Sequence, residues 1–164
     1  MSEDKGKIAF RWWRDELRAE SGEARALNAR LRRAGTAAEI LSEEAVFRLS
    51  RALSLTDPER LALIARVLAA VKEHDKTPLA RRFGQGEPPA LSPLRFQRLI
   101  RTRDPGELAR ALRRALPLVA ASCDVIQLSR DLYWWNERVR IAWCFQYFGA
   151  QAPEMAQERE KVEA

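Results

Sequence analysis

The sequence predicts an all-α protein of two small helical bundles packed in one elongated chain. Three observations carry that expectation. Apolar residues recur at three- and four-residue spacing in segment after segment, and no run alternates apolar with polar between turn signals as a half-buried strand would. Several segments open on a capping residue followed by proline, as in Asp57-Pro58, Ser92-Pro93 and Asp104-Pro105. One Gly/Pro-dense tract, Gly84-Gln85-Gly86-Glu87-Pro88-Pro89, separates two groups of such segments. The expected division is an N-terminal bundle over 8–76, a linker over 77–93, a C-terminal bundle over 94–150 and a frayed, charge-alternating tail over 151–164.

In order, Ile8 to Glu20 reads as a first helix with Trp12, Trp13 and Leu17 on its core side, broken by Ser21-Gly22. Glu23 to Arg33 is a second, keeping Ala24, Leu27 and Leu31 in register and ending in basic residues that suit the negative end of a helix dipole. After Ala34-Gly35-Thr36, with Thr36 or Ser42 as cap, Val46, Leu49 and Leu53 mark a third helix. Asp57-Pro58 starts a fourth through Leu61, Ile64, Leu68 and Val71. Past the Gly/Pro tract come short helices from Leu94 to Thr102 and from Asp104 to Leu116. The last group, about Val125 to Gly149, contains Asp131 to Gly149 as one uninterrupted run with three of the five tryptophans. Trp135, Val139 and Trp143 share one face of it, yet Trp134, Ile141, Cys144, Phe145 and Phe148 make the back apolar too. With four charges inside, it reads as the buried central helix of the domain rather than a membrane span.

Composition sets bounds. The chain has 164 residues, 46% apolar and 32% charged, which is that of a folded protein with a real core. Its start, Met1-Ser2-Glu3-Asp4-Lys5, has no apolar run behind it, so neither a signal peptide nor an anchor is expected, and the cytoplasm is the expected compartment. Cys123 and Cys144 fit reduced, buried thiols. Catalytic chemistry has little to stand on. The single histidine, His74, reads as a capping or surface residue, no His/Cys spacing suits a metal, and Gly84-Gln85-Gly86 lacks the lysine and the strand-loop-helix setting of a phosphate loop. Neither enzyme activity nor a cofactor is expected.

Charge is more telling. The net charge is +6, and of 29 basic residues 24 are arginine. A GC-rich genome gives the same bias, so position has to decide. From Arg81 to Arg114 there are nine arginines against three acids, Glu87, Asp104 and Glu107, so nine minus three equals the net charge of the whole chain. Arg95, Arg98 and Arg101 lie away from Phe96 and Ile100, and Arg110, Arg113 and Arg114 lie opposite Leu108, Leu112 and Ala115. Two adjacent helices with such faces form a stripe that attracts phosphates without a sequence code. The aromatics hold core positions, so backbone electrostatics rather than base stacking is the expected mode. The alternative is an adaptor whose basic faces dock acidic protein partners.

Residues 94–101, Glu107-Leu108, Leu112-Arg113-Arg114, and then Leu128, Asp131-Leu132, Trp134-Trp135, Arg138-Val139-Arg140, Trp143, Phe145 and Tyr147-Phe148-Gly149 resemble CasB, the small subunit of the type I-E CRISPR complex Cascade. Trp12-Trp13, Leu31-Arg32-Arg33 and Ala80-Arg81-Arg82-Phe83-Gly84 resemble the family's N-terminal half, so that the likeness spans about 10–149. It implies a non-catalytic helical protein, two copies of which lie head to tail among the other Cascade subunits. These copies hold guide RNA paired to target DNA and, above all, the displaced single strand. The basic positions that match are Arg33, Arg95, Arg101, Arg114 and Arg138, and with them Arg48, Arg81 and Arg82. One departure is that Ile141-Ala142 stand where many relatives carry further arginines. The apolar back of the 128–149 segment is either core or a contact surface for a second copy or another subunit.

Overall fold

Side-chain caps decide where most helices begin. The computed structural model describes residues 3–150, so the tail over 151–164 lies outside the described residues. Asp4 accepts from Gly6 N at the start of α1 (Lys5–Trp12), which continues into a π-turn at Trp13–Leu17. Ser21 caps α2 (Gly22–Arg33) and Thr36 caps α3 (Ala37–Leu41). α4 (Glu44–Leu53) follows without a side-chain cap, since Ser42 donates to Glu39 O instead of opening it. Asp57 caps α5 (Pro58–Ala69), and α6 (Leu79–Gly84) follows. Ser92 and Asp104 cap α7 (Pro93–Arg101) and α8 (Pro105–Ala115), α8 closing in a 3-10 turn at Leu116–Val119. Asp124 and Asn136 cap α9 (Val125–Trp134) and α10 (Glu137–Tyr147). The fold is all-α, the one strand feature among the described residues being a two-residue parallel bridge of β1 (Glu73–His74) with β2 (Ser122–Cys123). No helix among the described residues is long and apolar enough to cross a membrane.

Two expectations change. The centre of the fold is α5, not the C-terminal aromatic run: every residue from Leu61 to Ala69 is buried, and α2, α3, α4, α8 and α9 pack on it. The run from 131 to 149 is two helices, because backbone geometry departs from helical at Trp135 and Asn136 turns its side chain to cap Val139 N at 3.0 Å. That break sends the Trp135 indole inward, where Nε1 donates to Thr102 O at 3.0 Å and the ring meets Trp143 edge-on at 5.0 Å. Trp143 Nε1 in turn donates to buried Asp131 at 2.7 Å.

The stretch over 77–93 is more than a connector. Leu79, Ala80, Phe83 and Leu91 are buried in one hydrophobic cluster that runs from Ile8 to Tyr147. α1 lies along α9, α5 along α8 and α6 along α10, so contacts cross between the chain's two halves. β1 and β2 add a backbone link, and His74, exposed, accepts at Nδ1 from Val125 N at 3.1 Å, so it caps α9 from a distant segment.

At Gly84 the end of α6 meets the end of α10 so closely that a Cβ would lie 1.8 Å from Tyr147 O. Backbone cannot yield cheaply there. Gly84→Ala should lower unfolding free energy in urea by about 1–3 kcal/mol or more. Gly22→Ala, with open space around the added methyl, should leave it unchanged or raise it by up to about 1 kcal/mol. Equal effects from the two substitutions would refute the close approach.

Candidate nucleic-acid interface

Burial on one side of α7 and α8 dictates what the other side presents. α7 buries Phe96 and Leu99, and Phe96 stacks on Tyr147 with centroids 4.0 Å apart. α8 buries Leu108, Ala109, Leu112 and Ala115. The short connection over 102–104 keeps α7 beside α8, and between them runs a groove of about 300 Å³. Arg95 and Arg98 come from α7, Arg110 and Arg114 from α8, and Leu91, Leu99, Ala111 and Ala115 supply apolar lining. Glu107 is the one carboxylate among the lining residues.

Pairing separates these arginines from several others. Arg11, Arg14, Arg30, Arg130 and Arg140 lie against Glu3, Asp15, Glu43, Asp4 and Glu137. Arg95, Arg98, Arg101, Arg110 and Arg114 make no ion pair among the described residues. Like charges facing one another without counter-charge repel, and an anion entering between them relieves that repulsion.

The other expected positions scatter. Arg101 is exposed at the end of α7, Arg33 is exposed at the end of α2, and Arg138 is half-buried on α10; none of the three lines the groove. Arg48 is held by Glu16 through two bonds of 2.6 and 3.0 Å, with Glu44 3.9 Å away. Half-buried Arg81 lines a separate recess between the ends of α6 and α10. Arg82 is tied down, donating to Asp75 at 3.2 Å and to Val119 O at 3.3 Å. Arg98 and Arg110 occupy the groove although they are not among the matched positions. Their spacing from Arg95 (three residues) and Arg114 (four residues) is the signal that finds them.

The protein-family model described as CRISPR-associated protein Cse2 matches residues 27–148. The chain belongs to the Cse2 family. This is the family to which the CasB resemblance pointed, and all eight expected basic positions fall inside the matched span. Among solved structures, the chain is similar to a chain from the crystal structure of E. coli Cascade bound to a PAM-containing dsDNA target, with a TM-score of 0.66 and 21% identity, over 89% of this chain and 97% of that one. At that identity the likeness speaks for the fold. No curated protein sequence matches significantly.

In this Cse2-family chain Arg82 belongs to a junction joining the two halves. Asp75 accepts from Thr77 N at 2.7 Å, from Ser122 Oγ at 2.7 Å and from Arg82. Burial alone raises the Asp75 carboxyl, but the Thr77 and Ser122 bonds and the Arg82 charge outweigh it and hold the carboxyl below its ordinary value. A carboxyl depressed in the folded state stabilises above its unfolded pKa of about 4, and that contribution is lost as pH falls through the folded value. Asp75→Asn should therefore be less stable at neutral pH and show a shallower stability loss below about pH 4 than the parent. Parallel acid limbs in urea titrations would contradict this account.

Proposed function

We propose that this Cse2-family chain is a non-catalytic subunit of a Cascade-type CRISPR complex that acts in the cytoplasm and holds the nucleic acid of the R-loop through its arginine faces. The carrying observation is the α7–α8 groove, where four arginines without ion-pair partners among the described residues face one another across a single carboxylate. Such a groove binds phosphates whatever the base sequence. The displaced single strand fits it best, because a strand exchange close to balance is tipped by protein contacts to a backbone. Membership of the Cse2 family supports the reading, as does the likeness to a chain of a DNA-bound Cascade. Arg33, Arg81, Arg101 and Arg138 belong to the same reading as outlying contacts, and Arg48 and Arg82 join it only by exchanging a carboxylate for a phosphate.

A protein-docking role has one observation of its own. Ile141, Phe145 and Phe148 sit at helical spacing on the outer side of α10, and Phe148 is 74% exposed. We assign this stripe to contact with a second copy or a neighbouring subunit, alongside nucleic-acid binding rather than in place of it.

With Arg101→Glu and Arg114→Glu together, the reconstituted complex should form R-loops roughly tenfold more weakly or worse, with a salt slope shallower by about 1 for each phosphate no longer held. Unchanged affinity and slope would remove those residues from the interface. In a gel shift, the isolated protein should bind single-stranded DNA in a salt-sensitive way; a pure adaptor does not.

A further inference from the structure

The α7–α8 groove does not end at α8. Arg110 and Arg114 also line a second cavity, of about 660 Å³, whose lining includes Arg32 from α2, Lys72 and Arg113. None of the described residues lining it is acidic. Arg32 continues into a third recess of about 380 Å³ along α2, shared with Arg18 and Arg25. Three cavities are thus joined by shared cationic side chains.

The middle cavity has an unusual charge arrangement. Arg113 donates to Arg32 O, and Arg66 Nη2 donates to Ala34 O at 3.0 Å, so two guanidiniums are held by carbonyls at the C-terminal end of α2. Arg66 is only 7% exposed, and its Nε has no partner. Burial, then the charges of Arg66 and Arg32, push the Arg113 guanidinium below its ordinary value, and Arg32 acts on Arg18 in the same sense after burial. Helix-end carbonyls carry roughly half a negative charge between them. That offsets part of the repulsion among several full positive charges and leaves a net demand for an anion. Arginine meets it in the charged form, because it stays protonated even when shifted.

We propose that this cavity is a phosphate-binding site, built by Arg32, Lys72, Arg110, Arg113 and Arg114, and that it seats one phosphate of a strand passing from the α7–α8 groove over α8 to the end of α2. Capture of the phosphate group stands on the cavity alone; its belonging to a strand rests on the function proposed above. Guanidinium forks suit the tetrahedral, multiply accepting phosphate better than a spherical halide.

The test uses the isolated full chain. Arg32→Ala/Lys72→Ala alters exposed side chains that line this cavity and not the α7–α8 groove; Arg95→Ala/Arg98→Ala does the reverse. Inorganic phosphate, against sodium chloride of equal ionic strength, should shift the Arg113 Nε–Hε resonance saturably and raise Tm in the parent and in Arg95→Ala/Arg98→Ala. Arg32→Ala/Lys72→Ala should bind phosphate at least tenfold more weakly. No saturation beyond chloride, or equal affinity in both variants, overturns the site. A labelled oligo-dT is the second arm, and there Arg32→Ala/Lys72→Ala should lower the salt slope by about 1. Phosphate saturation with an unchanged oligo-dT slope would leave the site to free phosphate and overturn the strand path. If the parent binds no oligo-dT, the function proposed above fails while the phosphate arm still decides the cavity.

Discussion

Everything in this fold is arranged around a helix with no face left for water. α5 buries nine consecutive residues, so its neighbours must enclose it on all sides, and they come from both halves of the chain. The sequence Leu61-Ala62-Leu63-Ile64-Ala65 permits close approach because alanines alternate with larger side chains. Arg66 is the exception, tolerated because its guanidinium reaches the Ala34 carbonyl at the end of α2. Burying a charge that is only partly satisfied is expensive. Its charge acts on Arg113, which lines the cationic cavity.

The enclosure also sorts the charges. Helices that surround α5 turn apolar residues inward and export arginines. On α1, the π-turn, α2, α4, α9 and α10, acids stand near enough to pair with several of them, and such exposed pairs add little stability. α7 and α8 have few acids within reach, so Arg95, Arg98, Arg110 and Arg114 face solvent and each other. Unpaired cationic surface works against compactness, and proteins keep such surface mainly where a ligand needs it.

How much of this was legible in the sequence depends on how local each feature is. Asp57-Pro58, Ser92-Pro93 and Asp104-Pro105 announce their helices, since cap and proline act within one turn. The arginine stripe was legible for the same reason, and Arg95 and Arg114 were found with it. The break at Trp135 was not, because indole contacts with Thr102 and Trp143 fix it, and those are distant or follow it in the chain. Nor was five-residue α3, too short for a periodic signal. Burial of Phe83 inside an apparent linker depends on α10. Arg32 and Lys72 reach the arginines of α8 only through tertiary packing, which no spacing rule encodes.

The packing of α1 on α9 bears on how the chain is made. Gly6 sits so close to Ile126 O that no larger residue fits, and Asp4 is clasped by Arg130 at 2.6 Å, so α1 finds its place against α9. A ribosome adding residues one by one needs roughly ten seconds to span that separation. Through that interval Ile8, Ala9 and Trp12 have nothing complete to cover them. Synthesis from the N-terminus thus leaves α1 without its α9 partner until that helix emerges, and closure of this part of the core waits for it.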